Sequence, residues 1–187
     1  MFKGLSGKHA IVTGGSTLIG AGLVEAFVKA GATVTIADID AERGQAIADA
    51  CGKSAWFRQT DISDDGQLEA CVAESAKKFG RIDFVVNAAC VYVDDGINAS
   101  RSDWLTSMNV NLISAAMLVK AALPWMKKSG GGAVVNFTSI SSSVAQTGRW
   151  LYPTSKAALA QLTRNMAMDL APDHIRVNSV SPGWTWS

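Results

Sequence analysis

Short, nearly continuous apolar runs alternate with longer amphipathic stretches along the whole chain, and each run ends in glycine or a polar residue. The runs are HAIVTGG (9–15), TVTIADID (33–40), SAWFRQTDIS (54–63), RIDFVVNAA (81–89), GAVVNFTSIS (132–141) and HIRVNSVSPG (174–183). Runs this apolar belong to strands buried on both faces, which is the mark of a parallel sheet. The stretches between them carry helical spacing, as in Leu18, Ile19, Leu23, Val24, Phe27 and Val28. Gly31, Gly52 and Gly80 stop the first three helices, and Pro172 closes the last. In the segment 64–80, acids open the helix and lysines occupy its last turn, which matches the helix dipole. The stretch 100–131 reads as one long helix in which Pro124 marks a break or kink.

Parallel strands joined by right-handed helical crossovers build an open α/β sheet, doubly wound with helices on both faces. The expected form is Rossmann-like, with at least six strands in the order 3-2-1-4-5-6. At 187 residues and 48% hydrophobic content, the chain suits one buried domain over residues 1–187. In such a sheet, ligands bind beyond the carboxyl ends of the strands. The residues there are Thr13-Gly14-Gly15, Asp38, Asp61, Asn87, Ser139 and Pro182-Gly183. Glycine and polar groups therefore collect at one edge.

Composition excludes several partners. The 17 basic residues nearly balance the 16 acidic ones, and no basic run recommends nucleic acid or an anionic membrane. Three widely spaced cysteines favour a reducing cytoplasm over a disulfide framework. His9 and His174 have no partner at metal-ligand spacing, so no metal is expected. The longest apolar stretch, LISAAMLVKAALPWM, is broken by Lys120 and Pro124, which argues against a membrane span.

The first turn, T13-G-G-S-T-L-I-G20, offers backbone N–H groups and a positive helix end to a phosphate, although a plain tight turn would look the same. Asp38 ends the second strand, near the distance at which an acid meets an adenosine ribose. Its carboxylate would accept from both ribose hydroxyls and repel a 2′-phosphate, so NAD is expected over NADP. Asp40 reads as a solvated acid in the same turn.

These segments resemble, in order, those of the classical short-chain dehydrogenase/reductase family. TGGSTLIG is similar to its Thr-Gly-x-x-x-Gly-x-Gly, VVNAAC to its Asn-Asn-Ala-Gly, and NVNL to the segment with its asparagine. VVNFTS resembles the strand ending in its serine, YPTSK its Tyr-x-x-x-Lys, and SPG its Pro-Gly. Ser139 stands thirteen residues before Tyr152, as the family requires. The resemblance implies hydride transfer between NAD(H) and a secondary alcohol or ketone. Tyr152 would be the general acid/base. Lys156, four residues on along the same helix face, would hold the nicotinamide ribose and, together with the positive charge of an oxidised nicotinamide, lower the tyrosine's pKa. Ser139 would hold the substrate oxygen, with Ser141, Ser142 and Ser143 as alternatives for the same strand end. Asn111 would hold a relay water, with Asn109 as competitor.

For the cofactor, the resemblance implies Gly14, Ser16, Thr17, Leu18 and Ile19 at the pyrophosphate, and Asp61 and Ile62 about the adenine. Asn87, Ala88 and Ala89 would line the adenosine side, and Pro182, Gly183, Thr185 and Ser187 the nicotinamide. Leu18 and Cys90 replace family glycines, and Ala88 replaces an asparagine. If Leu18 keeps a negative φ and turns into the core, the turn survives; if not, NAD affinity falls. Family members usually continue with a substrate-covering segment, another helix and a seventh strand. Stopping at Ser187, the chain is either shorter than the biological one or covered by a partner at the sixth strand's edge.

Trp150, Trp184 and Trp186, with Val91, Tyr92 and Val93, suggest an apolar or cyclic substrate, although the tryptophans equally suit core packing or a subunit contact. Two rival readings are a nucleotide-binding protein without turnover and a scaffold on an inherited fold. The family's usual pairing implies a homodimer or homotetramer.

Overall fold

The computed structural model describes residues 4–184, so the expected contacts of Thr185, Trp186 and Ser187 lie outside the described residues. Six strands form one sheet: β1 (His9–Thr13), β2 (Thr33–Asp38), β3 (Ala55–Gln59), β4 (Phe84–Asn87), β5 (Gly132–Phe137) and β6 (Ile175–Val180). Their order is β3-β2-β1-β4-β5-β6, and every pairing is parallel. This is the doubly wound order expected from the alternating pattern. Thr13 pairs with Ala37 and Asn87, and Phe137 with Val180, so the carboxyl ends finish together along one edge. Among the described residues β6 pairs with β5 alone.

The helices are α1 (Leu18–Lys29), α2 (Ala41–Cys51), α3 (Asp65–Phe79), α4 (Arg101–Met108), α5 (Ser114–Lys128) and α6 (Leu151–Leu170). Leu23, Val24 and Phe27 of α1 and Ile47 and Ala48 of α2 pack on one face, against Ala10, Val12, Val34 and Ile36. On the other face, Leu68 and Val72 of α3, Leu118 and Ala122 of α5, and Met166 and Leu170 of α6 cover Ile11, Val85 and Val134. Alternate strand residues thus feed two separate cores. Asp40, read as a solvated turn acid, and Asp64, one of the acids expected to open α3, cap α2 and α3 by accepting from Arg43 N and Gln67 N.

A break or kink was expected at Pro124, but α5 runs through it to Lys128. The irregularity falls earlier, at a π turn over Asn109–Ile113 between α4 and α5. A π turn inserts one residue and rotates the side chains that follow, and such turns recur at functional sites. Here it carries Asn111. The whole stretch Arg101–Lys128 is long and apolar enough to cross a membrane by length and composition. In this fold its inner side is core: Leu118, Val119, Ala122 and Met126 are buried against the sheet and α3.

Candidate active site

A cavity of about 410 Å³ lies over the carboxyl ends of β1, β4, β5 and β6. One end is bounded by Thr17, Leu18 and Ile19 at the start of α1, and the other by Ser139, Tyr152, Lys156, Pro182, Gly183 and Trp184.

The first end is built by close backbone approach. Gly14 has φ +66°, and a Cβ there would sit 2.7 Å from Ala89 Cα. Gly20 has no room either: its Cβ would lie 2.0 Å from the Gly14 carbonyl oxygen. These two contacts seat α1 against the strand turn and aim its N-terminus into the cavity. Thr17 caps α1, donating to Gly14 O at 2.7 Å and accepting from Gly20 N at 3.1 Å. Leu18 keeps a negative φ as the first residue of α1, but its side chain does not enter the core. It is 66% exposed and lines the cavity.

Asp38 is buried at the end of β2 and accepts from Ser16 N at 3.0 Å and Asp40 N at 3.1 Å. The acid thereby ties the first turn to the second. Asp61 is exposed and accepts from Ser63 N and Oγ, while the Ile62 side chain lies in the core. Asn87 donates to Asn136 Oδ1 at 2.8 Å, and Asn136 donates on to Thr163 Oγ1 at 2.9 Å. That chain crosses the sheet to α6. The β1–β4 link is made by Thr13 Oγ1, which accepts from Ala88 N at 3.2 Å and Ala89 N at 3.3 Å. It uses backbone N–H groups, so an alanine at 88 costs the link nothing.

At the second end, Tyr152 and Lys156 lie one turn apart on α6 and both are buried. Lys156 Nζ donates to the Phe137 carbonyl at 2.8 Å and lies 5.7 Å from the Tyr152 ring centroid. Burial pulls the Lys156 pKa down, against a smaller upward effect of Cys90. Tyr152 stands above its ordinary value. Burial, with a smaller effect of Cys90, raises it more than the Ser139 hydroxyl, the Tyr92 hydroxyl and the Arg149 charge lower it. Lys156, its ammonium on the Phe137 carbonyl, is not among these causes. Tyr92 lies over Tyr152 with ring centroids 4.8 Å apart, and burial, then Cys90 and Tyr152, raise its pKa.

Ser139 Oγ accepts from Ser141 N at 3.1 Å and is the serine of the strand end that reaches the Tyr152 phenol. Asn111 is buried by the π turn; its oxygen accepts from Val91 N at 2.8 Å and its nitrogen donates to Val91 O and to Ser155 Oγ, at 3.0 and 3.1 Å. Asn111 thus meets α6 through Ser155, next to Lys156. Asn109 is half-buried on the same turn. Trp184 lines the cavity and Trp150 does not.

The chain was compared with known proteins. The profile of a family described as enoyl-(acyl carrier protein) reductase matches residues 15–187. A 3-oxoacyl-[acyl-carrier-protein] reductase of Chlamydia pneumoniae is 34% identical over 184 residues, covering 96% of this chain and 74% of that protein. A probable galactose dehydrogenase of Rhizobium meliloti is 36% identical over 187 residues, covering 97% and 73%. A 7alpha-hydroxysteroid dehydrogenase of Escherichia coli is 33% identical over 182 residues, covering 96% and 71%. The chain belongs to the short-chain dehydrogenase/reductase family.

One short-chain dehydrogenase/reductase feature of this chain escaped sequence reading. Asp94, in the loop after β4, accepts from Trp150 N, Leu151 N and Tyr152 N at 2.9, 3.0 and 2.9 Å. It also accepts from Gly96 N at 3.2 Å. Although burial opposes it, these four N–H groups hold the Asp94 carboxyl below its usual range. The signal was a gap: α6 opens with Trp150, whose side chain makes no capping hydrogen bond, so the cap had to come from elsewhere. Asp94→Ala is expected to lower stability by about 1–2 kcal/mol, and Asp94→Asn by less, since an amide oxygen still accepts. Urea unfolding of the two variants checks this.

Proposed function

We propose that the protein transfers hydride between NAD(H) and a secondary alcohol or ketone. The observation that carries the proposal is a single cavity joining the α1 N-terminus to the buried Ser139–Tyr152–Lys156 group. The residues fit a dinucleotide: the glycine contacts at 14 and 20 expose backbone donors, and Asp38 stands at the end of the neighbouring strand. A bound nicotinamide supplies the hydride acceptor and, when oxidised, a positive charge.

In this reading Tyr152 takes the proton from the substrate hydroxyl, or returns it during reduction. Ser139 donates to the same oxygen and steadies the charge that develops there. Lys156 leaves the Phe137 carbonyl within reach while holding the ribose. Asn111 orders the path from Ser155 toward solvent. Gly14, Ser16, Thr17, Leu18 and Ile19 would meet the pyrophosphate, with Leu18 an apolar wall beside it. Asp61, Ile62, Asn87, Ala88 and Ala89 would flank the adenosine, and Pro182 and Gly183 the carboxamide. The relatives' printed names span a carrier-bound ketone, sugars and a steroid, so the shared element is the CH–OH group. Apolar side chains exposed at Leu105, Ile113 and Met168 suit a homodimer or homotetramer face.

NAD is proposed over NADP because the only cation near Asp38 in sequence, Arg43, pairs with Asp40 at 3.6 Å. Titration of tryptophan fluorescence with NADH and NADPH tests this. Asp38→Ala is expected to weaken NADH about tenfold or more. It should also bring the NADH-to-NADPH preference toward unity. An unchanged ratio would remove the role given to Asp38, because a merely disturbed turn weakens both cofactors alike.

A further inference from the structure

The cavity is lined by two cations and no carboxylate among the described residues. Lys156 is engaged by the Phe137 carbonyl. The second cation, Arg149, sits three residues before Tyr152 and enters none of the ion pairs among the described residues. Asp94, in the loop that meets the start of α6, has its oxygens taken up by four backbone N–H groups. The wall thus holds, three residues before the reacting phenol, an exposed planar cation paired with no anion among the described residues.

We infer that the substrate carries an oxyanion group, which Arg149 binds while the oxidisable CH–OH meets Tyr152 and Ser139. This rests on the hydride-transfer reading and narrows its substrate class to hydroxy acids or their phosphate counterparts. A guanidinium fork matches either group. The charge also reaches the chemistry, since Arg149 lowers the Tyr152 pKa in part. The apolar or cyclic substrate suggested by the tryptophans fits less well, because Trp150 lies off the cavity.

The test is binding to the NADH-loaded protein, followed by tryptophan fluorescence. The probes are 3-hydroxyhexanoate, its methyl ester and 2-hydroxypropyl phosphate. The carboxylate is expected to bind about tenfold tighter than the ester, as one charge-assisted hydrogen-bonded pair allows. Arg149→Gln should abolish that ratio and leave NADH binding unchanged. Tighter binding of the phosphate than of the carboxylate also supports the oxyanion subsite and assigns it to phosphate esters. The inference is overturned if the ester binds as well as the acid, if no probe binds, or if Arg149→Gln weakens NADH instead, which would give Arg149 to the cofactor. Failure of NADH to bind at all would strike the hydride-transfer reading, a distinct result.

Discussion

Tyr152→Phe is expected to cut kcat by roughly 10²–10⁴-fold while leaving NADH affinity within a few fold, the range for removal of a positioned acid/base. The substitution deletes one oxygen from a ring already packed by Tyr92 at 4.8 Å between centroids, so the fold loses little. Ser139 and Lys156 stay in place, and their residual catalysis sets the floor. The pH dependence follows from the direction of the shift. Burial holds the phenol above its ordinary value, so the phenolate that accepts a proton gains population as pH rises. Alcohol oxidation should therefore increase with pH across the neutral and mildly alkaline range, while ketone reduction, which uses the protonated phenol, should stay nearly level there. Steady-state rates in both directions over that range check both.

The second large effect concerns stability in acid. His9 is fully buried in β1, with its ring nitrogens on Thr33 Oγ1 and Thr35 Oγ1 at 2.9 and 3.1 Å. It stacks on Phe79 of α3 with centroids 4.2 Å apart. Burial, opposed in part by the nearby Asp83 charge, lowers its pKa from 6.5 to about 4. The unfolded chain takes up a proton near pH 6.5, while the folded protein resists until about pH 4. Stability from this group is thus fully present above the unfolded value and is lost as pH falls toward the folded one. The shift is worth about 3 kcal/mol across that window. Asp83 does not compete there. Burial pushes its carboxyl up, but Arg81, His9 N–H and Lys8 together hold it below its usual range. Urea unfolding at pH 7.5 and 4.5 should show the loss, and His9→Leu, starting from lower stability, should show a smaller slope. Equal slopes would contradict the assignment.

How much of this was legible depended on the range of the interactions. The parallel sheet followed from local pattern, because short apolar runs such as Phe84-Val85-Val86 and Ala133-Val134-Val135 suit strands buried on both faces, and the order came with the doubly wound form. The collection of Thr13, Asp38, Asn87 and Ser139 at one edge followed in turn, since parallel strands end together. Interactions between distant segments could not be read that way. Nothing in VYVDDG says that Asp94 caps a helix more than fifty residues later. The π turn was hidden because Asn109–Ile113 has the same helical spacing as its flanks, and Pro124 drew attention to the wrong place. The environment of Lys156 was not legible, because sequence gives its spacing to Tyr152 but not the Phe137 carbonyl that takes its ammonium.

The most direct test of the account is the growth of NADH absorbance when the protein meets NAD+ and a panel of secondary alcohols that includes hydroxy acids. A Tyr152-dependent rise with at least one of them, faster with NAD+ than with NADP+, is the result predicted. Saturable NADH binding with no absorbance change for any alcohol would contradict it and leave a nucleotide-binding protein without turnover.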